Sequence, residues 1–290
     1  MPDNPRIEGE TPAPPLAPLD QRSEALTLLA EGAFDVLVIG GGITGAGVAR
    51  DAAMRGLSVA LVEASDFASG TSSRSSRLVH GGVRYLEHGQ LGLVFEACRE
   101  RRILATIAPH LVRPLQFLWP VYEKARIKLW KLRAGLFLYD ALALGRNLGT
   151  HRTLSAHVVT ALEPELRHMG LVGGASYFDA ATDDIRLTLA TVMSARDAGA
   201  IVLNHVSVHD LLMTSEGVCG ARAVDLRTGI DVEIRARTVV NAAGPWSDAI
   251  RRMAEPQARR AVRGTKGVHV SVPRDRIRNN GALTLLSPID

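Results

Sequence analysis

Cysteine is almost absent from the sequence, which contains only Cys98 and Cys219 among its 290 residues. The two lie far apart in the chain and lack the spacing of metal ligands. This pattern argues against a disulfide-stapled scaffold and against a zinc site, and no metal centre of any kind is predicted. Sparse, unpaired cysteines are typical of proteins from a reducing compartment, so we expect a cytoplasmic location.

Long apolar runs are missing as well. The run Ala134–Leu144 (AGLFLYDALAL) contains Asp140 and falls short of the roughly 20 residues needed to cross a bilayer. The first 20 residues hold six of the 14 prolines and no apolar signal-peptide segment, so we expect a disordered tail there. The composition, with 46% hydrophobic residues, indicates a soluble globular protein of one large or two modest domains.

The sequence also lacks a strong excess of charge of one sign. The 34 basic and 30 acidic residues are interspersed and give a net charge of only +4. This distribution argues against nucleic-acid binding, whereas acidic small molecules or a membrane surface remain open as partners. One local exception is Lys124–Arg133 (KARIKLWKLR), where five basic residues accompany Trp130. Such a run is either a solvated helix face or a contact with anionic lipid.

The most informative stretch is FDVLVIGGGITGAG at Phe34–Gly47. A short β-branched run leads into a glycine-rich turn, and the pattern from Thr44 to Arg55 predicts a helix that closes at Gly56. Leu57–Glu63 (LSVALVE) reads as a second buried strand. Together these segments have the length of a βαβ unit, which is about 30 residues.

The turn has the spacing Gly40-x-Gly42-x-x-Gly45, and Glu63 ends the next strand. In a dinucleotide-binding turn the first glycine permits the bend, the second lets backbone N–H groups approach a diphosphate, and the third allows close packing of helix and strand. An acid at about 20 residues further on binds a ribose hydroxyl. The alternative is a tight turn without a nucleotide, which the strand, helix and acid disfavour.

A second stretch, TSSRSSRLVHGGVRYL at Thr71–Leu86, follows closely. Its hydroxyls suit phosphate, ribitol or turn contacts, and its His-Gly-Gly sequence allows a flat ligand to approach the backbone. Arg84 can grip an oxyanion bidentately. A solvated polar loop is the alternative.

Far downstream, Arg237–Gly244 (RTVVNAAG) predicts a strand that runs into a small-residue loop of the sort that closes over a cofactor.

The remaining pattern predicts an alternation of helices and strands with no internal repeat. The predicted helices are Asp20–Glu31, Leu86–Ala108, Lys124–Leu144 and Asp184–Ala198. The predicted strands are Pro114–Tyr122, Ala175–Phe178, Ala200–Val208, Ala221–Leu226 and Asp231–Val240, of which the last two form a hairpin around Thr228-Gly229.

With these residues in view, the sequence resembles the FAD-dependent, quinone-linked glycerol-3-phosphate dehydrogenases, which are relatives of D-amino-acid oxidase in fold. The resemblance extends from about Phe34 to the C-terminus. It rests on the two stretches above and on further segments of the chain: APHL, GLFLYDAL, DDIRL, VVNAAGPW and RGTKGVHVSVPR. It implies an α/β fold with a Rossmann-like FAD-binding domain and a mixed-sheet substrate domain.

The resemblance implies oxidation of sn-glycerol 3-phosphate to dihydroxyacetone phosphate, with FAD as cofactor and membrane quinone as electron acceptor. This reaction requires hydride transfer to the flavin, removal of a hydroxyl proton and neutralisation of a phosphate dianion. The implied location is peripheral to the cytoplasmic face of a membrane, and a homodimer is left open. Two alternatives remain: an oxidase of another small polar substrate such as an amino acid, and a non-catalytic fragment.

The resemblance also assigns roles to individual positions. Arg84 and Tyr85 would hold the substrate phosphate, Lys266 and His269 would border the substrate, and His80 or His269 would accept the proton. The implied cofactor contacts are Gly40, Gly42, Ile43, Thr44, Gly45, Glu63, Ser72, Ser73, Gly81, Gly82, Val206, Ala243, Gly244 and Trp246.

After a tail with a short helix (1–32), four segments of the chain are expected to alternate between two domains. They are two parts of the FAD-binding domain (33–108 and 181–250) and two parts of the substrate domain (109–180 and 251–290). Family members continue beyond the point that Asp290 matches. We therefore expect a truncated, incomplete substrate domain in which Val268–Val272 and Ala282–Leu286 lack sheet partners, and such unpaired edges invite aggregation.

Overall fold

The computed structural model of the chain describes residues 19–265 and 267–286, apart from the side chains of Leu19, Asp20 and Arg84. The helices of this part are α1 (Leu19–Glu31), α2 (Ile43–Met54), α3 (Leu91–Ile107), α4 (Leu129–Ala143), α5 (Ala156–Leu162), α6 (Asp184–Asp197), α7 (Ser247–Ala254) and α8 (Arg274–Ile277). Its strands are β1 (Ala33–Ile39), β2 (Val59–Val62), β3 (Leu78–Val79), β4 (Val112–Tyr122), β5 (Arg152–Ser155), β6 (Leu171–Thr182), β7 (Ile201–Leu203), β8 (Val206–Thr214), β9 (Gly217–Asp225), β10 (Asp231–Asn241) and β11 (Ala282–Leu283).

The chain divides into two compact units, each built from separated segments. The first unit comprises Met1–Arg74 and Asp184–Thr265, and the second comprises Ser75–Asp183 and Lys266–Asp290. The first division therefore falls at residue 74 and not at the expected 108, because α3 packs on α4 in a cluster of Val94, Cys98 and Tyr139. The last division falls at residue 265 and not at 250, because α7 packs against the core of the first unit. The expected tail, residues 1–18, lies outside the described residues.

The first unit is organised by a six-stranded sheet in the order β7-β2-β1-β10-β9-β8. The four strands from β7 to β10 run parallel, and β9 and β8 add an antiparallel extension. Side chains of β1 alternate between the two faces, as the period of a strand requires. Leu37 and Ile39 pack with α1, whereas Val38 packs with the alanines of α2.

The predicted βαβ unit and the predicted hairpin are both confirmed. In the hairpin, β9 and β10 pair antiparallel, and the Gly229 N–H donates to the Asp225 carbonyl at 2.8 Å. The predicted single strand Ala200–Val208 is wrong, because His205 adopts a left-handed conformation (φ 53°) that ends β7 and starts β8. The two strands lie at opposite edges of the same sheet.

The second unit contains a mixed five-stranded sheet. Its strands run in the order β11-β4-β6-β3, and β5 also pairs with β6. The long β4 and β6 are antiparallel, and Phe117, Trp119 and Tyr177 pack from them against α4. The expectation that Ala282–Leu286 lacks a sheet partner is wrong, because β11 pairs in parallel with β4. The other segment that was expected to lack a partner, Val268–Val272, is exposed and lies outside the described strands.

Two predicted helices of the second unit start later than expected. The helix placed at Leu86–Ala108 begins at Leu91, because Val83–His88 forms a tighter 3-10 turn that ends at left-handed Gly89. The helix placed at Lys124–Leu144 begins at Leu129. Across residues 19–265 and 267–286, no helix combines the length and the apolar character that a membrane span requires.

Candidate functional site

The glycine turn between β1 and α2 presents backbone N–H groups to one side of the first unit. The first helical hydrogen bond of α2 runs from the Ala46 N–H to the Gly42 carbonyl at 2.9 Å. The N–H groups that precede it therefore have no intrahelical carbonyl partner, as at any helix start. The N–H of Ile43 donates to Ser72 Oγ at 2.9 Å. The amides of Thr44 and Gly45, together with the helix dipole, make this end favourable for an anion.

The three motif glycines have different structural reasons to lack a side chain. Gly40 has a φ of 115°, and a Cβ there would lie 2.5 Å from the Ala242 carbonyl oxygen. At Gly45 a Cβ would lie 1.9 Å from the Gly40 carbonyl oxygen, so this glycine allows α2 to approach β1. At Gly42 a Cβ would meet only Ser72 Oγ, at 3.1 Å. The fold alone therefore requires Gly40 and Gly45, and it leaves the space beside Gly42 open.

Glu63 is held at the edge of the same turn. Its Oε2 accepts from the Gly41 N–H at 2.7 Å, and its Oε1 accepts from the Ser65 N–H at 2.8 Å. Each carboxylate oxygen has a second lone pair, so the side chain can still accept hydrogen bonds from two ribose hydroxyls. The acid therefore lies where the spacing predicts it, at the end of β2 beside the glycine turn.

A cleft of about 450 Å³ opens over the turn. It falls within the range of about 300–1,000 Å³ that is typical of small-molecule sites. Glu63 is the one charged side chain among the described residues that line it. The structure brings ten of the predicted cofactor contacts together in this lining: Gly40, Gly42, Ile43, Thr44, Glu63, Ser72, Val206, Ala243, Gly244 and Trp246.

The far wall of the cleft comes from β8 and from the loop after β10. Gly244 is left-handed (φ 53°), and the exposed ring of Trp246 lies across the cleft wall beside Gly70. The Val206 N–H donates to the Glu63 carbonyl at 2.9 Å, and the predicted cofactor contact at Val206 stays a prediction. Val206 itself is buried and belongs to the lining of the cleft.

The residues present suit a dinucleotide diphosphate. Such a ligand needs three features that the cleft has. They are amides at a helix start without a hydrogen-bond partner among the described residues, a space that a Cβ at Gly42 would fill, and a carboxylate placed for ribose hydroxyls. Because no lysine or arginine lines the described cleft, a diphosphate here would be held by backbone dipoles and not by ion pairs.

Four predicted cofactor contacts lie away from this cleft lining. Gly45 lies behind the turn, where it packs against Gly40. Ser73 turns its hydroxyl back to donate to the Gly70 carbonyl at 3.1 Å. Gly81 and Gly82 belong to the second unit, where the Gly81 N–H donates to Asp179 Oδ1 at 2.8 Å.

A second cleft, of about 530 Å³, lies within the second unit. Two of the predicted catalytic residues, His80 and Tyr85, line it, and their ring centroids are 6.2 Å apart. On the opposite wall the hydroxyls of Tyr177 and Thr284 are hydrogen-bonded at 2.9 Å. The cleft therefore offers an exposed imidazole together with several hydroxyls.

Of the other predicted catalytic residues, the structure describes the side chain of His269 alone. His269 lies in the exposed segment after Lys266 and is not part of the cleft lining. The Arg84 side chain and Lys266 lie outside the described residues, so their predicted roles stay predictions.

A buried polar cluster that the sequence patterns did not predict lies beside the second cleft. Arg101 is completely buried, and its guanidinium forms an ion pair with Asp179 and a 2.7 Å hydrogen bond to Tyr139 Oη. A signal was present, because Arg101 follows Val94 and Cys98 at helical spacing and so belongs to the apolar face of α3.

Comparisons with known proteins agree with this geometry. The family model described as FAD dependent oxidoreductase matches residues 35–288. The glycerol-3-phosphate dehydrogenase of Mycobacterium leprae is 45% identical over 97% of this chain and 48% of its own length. The alpha-glycerophosphate oxidase of Streptococcus pyogenes is 40% identical over 89% of this chain and 43% of its own length.

Among solved structures, the glycerol-3-phosphate dehydrogenase from Bacillus halodurans complexed with FAD matches with a TM-score of 0.64 and 36% identity. The match covers 81% of this chain and 39% of that one. The chain belongs to the FAD-dependent oxidoreductase family, and its cofactor is FAD. It spans about half the length of the curated relatives that it matches.

Proposed function

We propose that the protein takes part in the FAD-dependent oxidation of sn-glycerol 3-phosphate to dihydroxyacetone phosphate, with electrons passed to a quinone. The choice of substrate rests on one observation, the 45% identity, over 97% of the chain, to a relative named glycerol-3-phosphate dehydrogenase. The cleft of the first unit supports the cofactor half of the proposal, because its open amides and its carboxylate suit the FAD diphosphate and ribose.

When bound, FAD supplies the acceptor for the hydride that leaves the alcohol carbon. The residues of the first unit would hold it. Amides at the start of α2 would bind the diphosphate beside Gly42, and Glu63 would accept hydrogen bonds from the adenosine ribose. Ser72 Oγ, which already accepts from the Ile43 N–H, would keep the loop before the second unit against the start of α2.

The residues of the second unit would contact the substrate. Arg84 would neutralise part of the phosphate dianion, since a guanidinium binds such an anion bidentately. His80 or His269 would accept the hydroxyl proton, because a neutral imidazole has one ring nitrogen free to accept. Tyr85 would donate a hydrogen bond to the phosphate from the wall of the second cleft, and Lys266 would add a further positive charge.

Anaerobic stopped-flow mixing of the FAD-loaded protein with sn-glycerol 3-phosphate tests the proposal. We expect the visible flavin band to bleach with glycerol 3-phosphate and to stay unchanged with glycerol, which lacks the phosphate. Bleaching by alanine instead would favour the alternative substrate class, an amino acid. A flavin that no substrate reduces would refute the proposed reaction for this chain.

The Arg84→Ala variant separates the phosphate role from a structural one. Loss of a charge-assisted contact to phosphate should raise the half-saturating glycerol 3-phosphate concentration by roughly 10-fold to 100-fold with FAD still bound. Arg99→Ala is the matched control, because Arg99 is an exposed arginine on α3. If the Arg84 variant loses flavin instead, the phosphate role is wrong.

The proposal includes a peripheral contact with an anionic membrane surface, where a quinone would be reached. Helix α4 exposes Trp130 (66%) and Phe137 (70%), and Lys131 lies over the Trp130 ring. Exposed aromatic rings beside basic residues suit a lipid headgroup layer. Cosedimentation with vesicles that contain phosphatidylglycerol should fall when Trp130 and Phe137 are both changed to Ala. Equal sedimentation of both proteins would remove this part of the proposal.

A further inference from the structure

The buried cluster of the second unit surrounds one carboxylate. Arginine is almost never fully buried unless it is paired, yet Arg101 has no exposed surface. It donates to Asp179, to Tyr139 Oη at 2.7 Å, to the Phe178 carbonyl at 3.0 Å and to Asn147 Oδ1 at 2.6 Å. Four oxygen acceptors around one guanidinium fix its position and, through the ion pair, the position of Asp179.

Asp179 Oδ1 accepts from three directions. The donors are the Arg101 guanidinium, the Tyr139 hydroxyl at 3.1 Å and the Gly81 N–H at 2.8 Å. Burial raises the pKa of the Tyr139 hydroxyl far above its ordinary value, so this group stays protonated and remains a donor. Two of the three donors come from the helices α3 and α4, and the third comes from the turn that carries His80.

The His80-Gly81-Gly82 turn packs directly against this cluster. A Cβ at Gly81 would lie 1.9 Å from Tyr139 Oη and 2.7 Å from Cys98 Sγ, so only glycine allows the contact. On either side of Gly81, His80 and the left-handed Gly82 (φ 74°) line the second cleft, and Asp179 lines it as well. The backbone that presents His80 to the cleft is therefore attached to the sheet through Asp179.

We propose that Asp179 is a positioning residue that fixes the His80-Gly81-Gly82 turn through the Gly81 N–H, while Arg101 and Tyr139 hold its carboxylate in place. The inference rests on the proposed function only in so far as His80 and Tyr85 contact the substrate. An ion pair that merely stabilised the core would not need to share its acceptor oxygen with the turn. Buried pairs are also often replaceable by apolar groups without loss of stability.

The test compares Asp179→Asn and Tyr139→Phe with the unsubstituted FAD-loaded protein. Hydrogen exchange of the peptide that covers residues 78–86 should accelerate about fivefold in Tyr139→Phe, as expected for one lost hydrogen bond, and more in Asp179→Asn. The rate of flavin reduction by glycerol 3-phosphate should fall by about 100-fold in Asp179→Asn, because a displaced catalytic group is that costly. The half-saturating concentration should stay within about twofold.

Val159→Ala is the control for a purely structural effect, since Val159 is completely buried on α5 and outside the cluster. It should leave exchange at residues 78–86 unchanged. The inference is overturned if the folded Asp179 and Tyr139 variants retain the exchange rate of the unsubstituted turn, or if their exchange rises uniformly across the second unit.

If Asp179→Asn fails to fold, Tyr139→Phe decides the role of Asp179, because it removes one hydrogen-bond donor to Asp179 and leaves the ion pair with Arg101 intact. The two proposals fail separately. An unsubstituted protein that glycerol 3-phosphate does not reduce refutes the proposed reaction, whereas the exchange measurement still decides the role of Asp179.

Discussion

Alanine substitutions at three glycines, one just before α2 and two within it, should separate the requirements of the fold from those of the cofactor. At Gly45 the new Cβ would lie 1.9 Å from the Gly40 carbonyl oxygen, so helix and strand must move apart. Overpacking of this kind costs about 1–3 kcal/mol, which exceeds the gain of about 1 kcal/mol in helix propensity. Gly45→Ala should therefore lower both stability and FAD affinity.

Gly42→Ala should behave differently. Its Cβ would meet only Ser72 Oγ at 3.1 Å, and its φ of −78° suits alanine, so stability should change little. The methyl group would occupy the space where a diphosphate approaches the amides. We expect at least a tenfold loss of FAD affinity, or about 1.4 kcal/mol. Gly47→Ala is the control, because its Cβ would have no described atom within 4 Å beyond its chain neighbours and the backbone of α2. It should stabilise α2 by up to about 1 kcal/mol.

Urea unfolding of the apoprotein and titration with FAD measure the two effects independently. We expect Gly45→Ala to lower both stability and FAD affinity, Gly42→Ala to lower FAD affinity alone, and Gly47→Ala to lower neither. A Gly42→Ala protein that binds FAD as tightly as the unsubstituted protein would refute the assignment of the diphosphate to this turn.

Three further predictions follow from polar contacts of the first unit. Burial alone would raise the pKa of Asp225, but hydrogen bonds from Arg22 and Thr228 outweigh it and hold the pKa below the ordinary 3.8. The resulting stabilisation is complete above about pH 3.8 and is lost as the pH falls through the lowered pKa, so urea unfolding curves of the unsubstituted protein and Asp225→Asn should converge in acid. Near pH 7 the variant should be less stable by about 3 kcal/mol, because the largely buried Arg22 loses the carboxylate that balances its charge. Equal stability of the two proteins at pH 7 would contradict this. Glu63→Gln should weaken FAD about tenfold but leave FMN, which lacks the adenosine ribose, unaffected in the same titration. Finally, FAD affinity should change by less than about threefold between 50 and 500 mM NaCl, because no described cation lines the cleft, and a steep loss would indicate an ion pair with the diphosphate.

The parts of the fold that sequence predicts well are governed by local backbone geometry. The turn from Gly40 to Gly45 and the hairpin around Gly229 depend on glycines at positions that the neighbouring strands and helices define, and the structure shows left-handed backbone at Gly40 and Gly229. The acid at Glu63 is equally local, because β2 must end beside the turn once β1 and β2 pair in parallel.

The parts that sequence could not predict depend on long-range contacts. His205 breaks a run that otherwise resembles one strand, and a left-handed histidine carries no glycine signal. Its neighbour Asn204 accepts a hydrogen bond from Arg22 through its carbonyl at 2.7 Å, across 182 residues of sequence. Helical spacing places Arg101 on the apolar face of α3, but its partner Asp179 lies 78 residues later and no local pattern connects the two.

The most direct test of the cofactor assignment is an equilibrium titration of the apoprotein with FAD, followed by displacement with ADP. We expect saturable binding of one FAD per chain, competition by ADP because it carries the adenosine and diphosphate groups, and much weaker binding of FMN. Binding of FMN as tight as that of FAD, or FAD that ADP cannot displace, would contradict the claim that the glycine turn and Glu63 hold the dinucleotide.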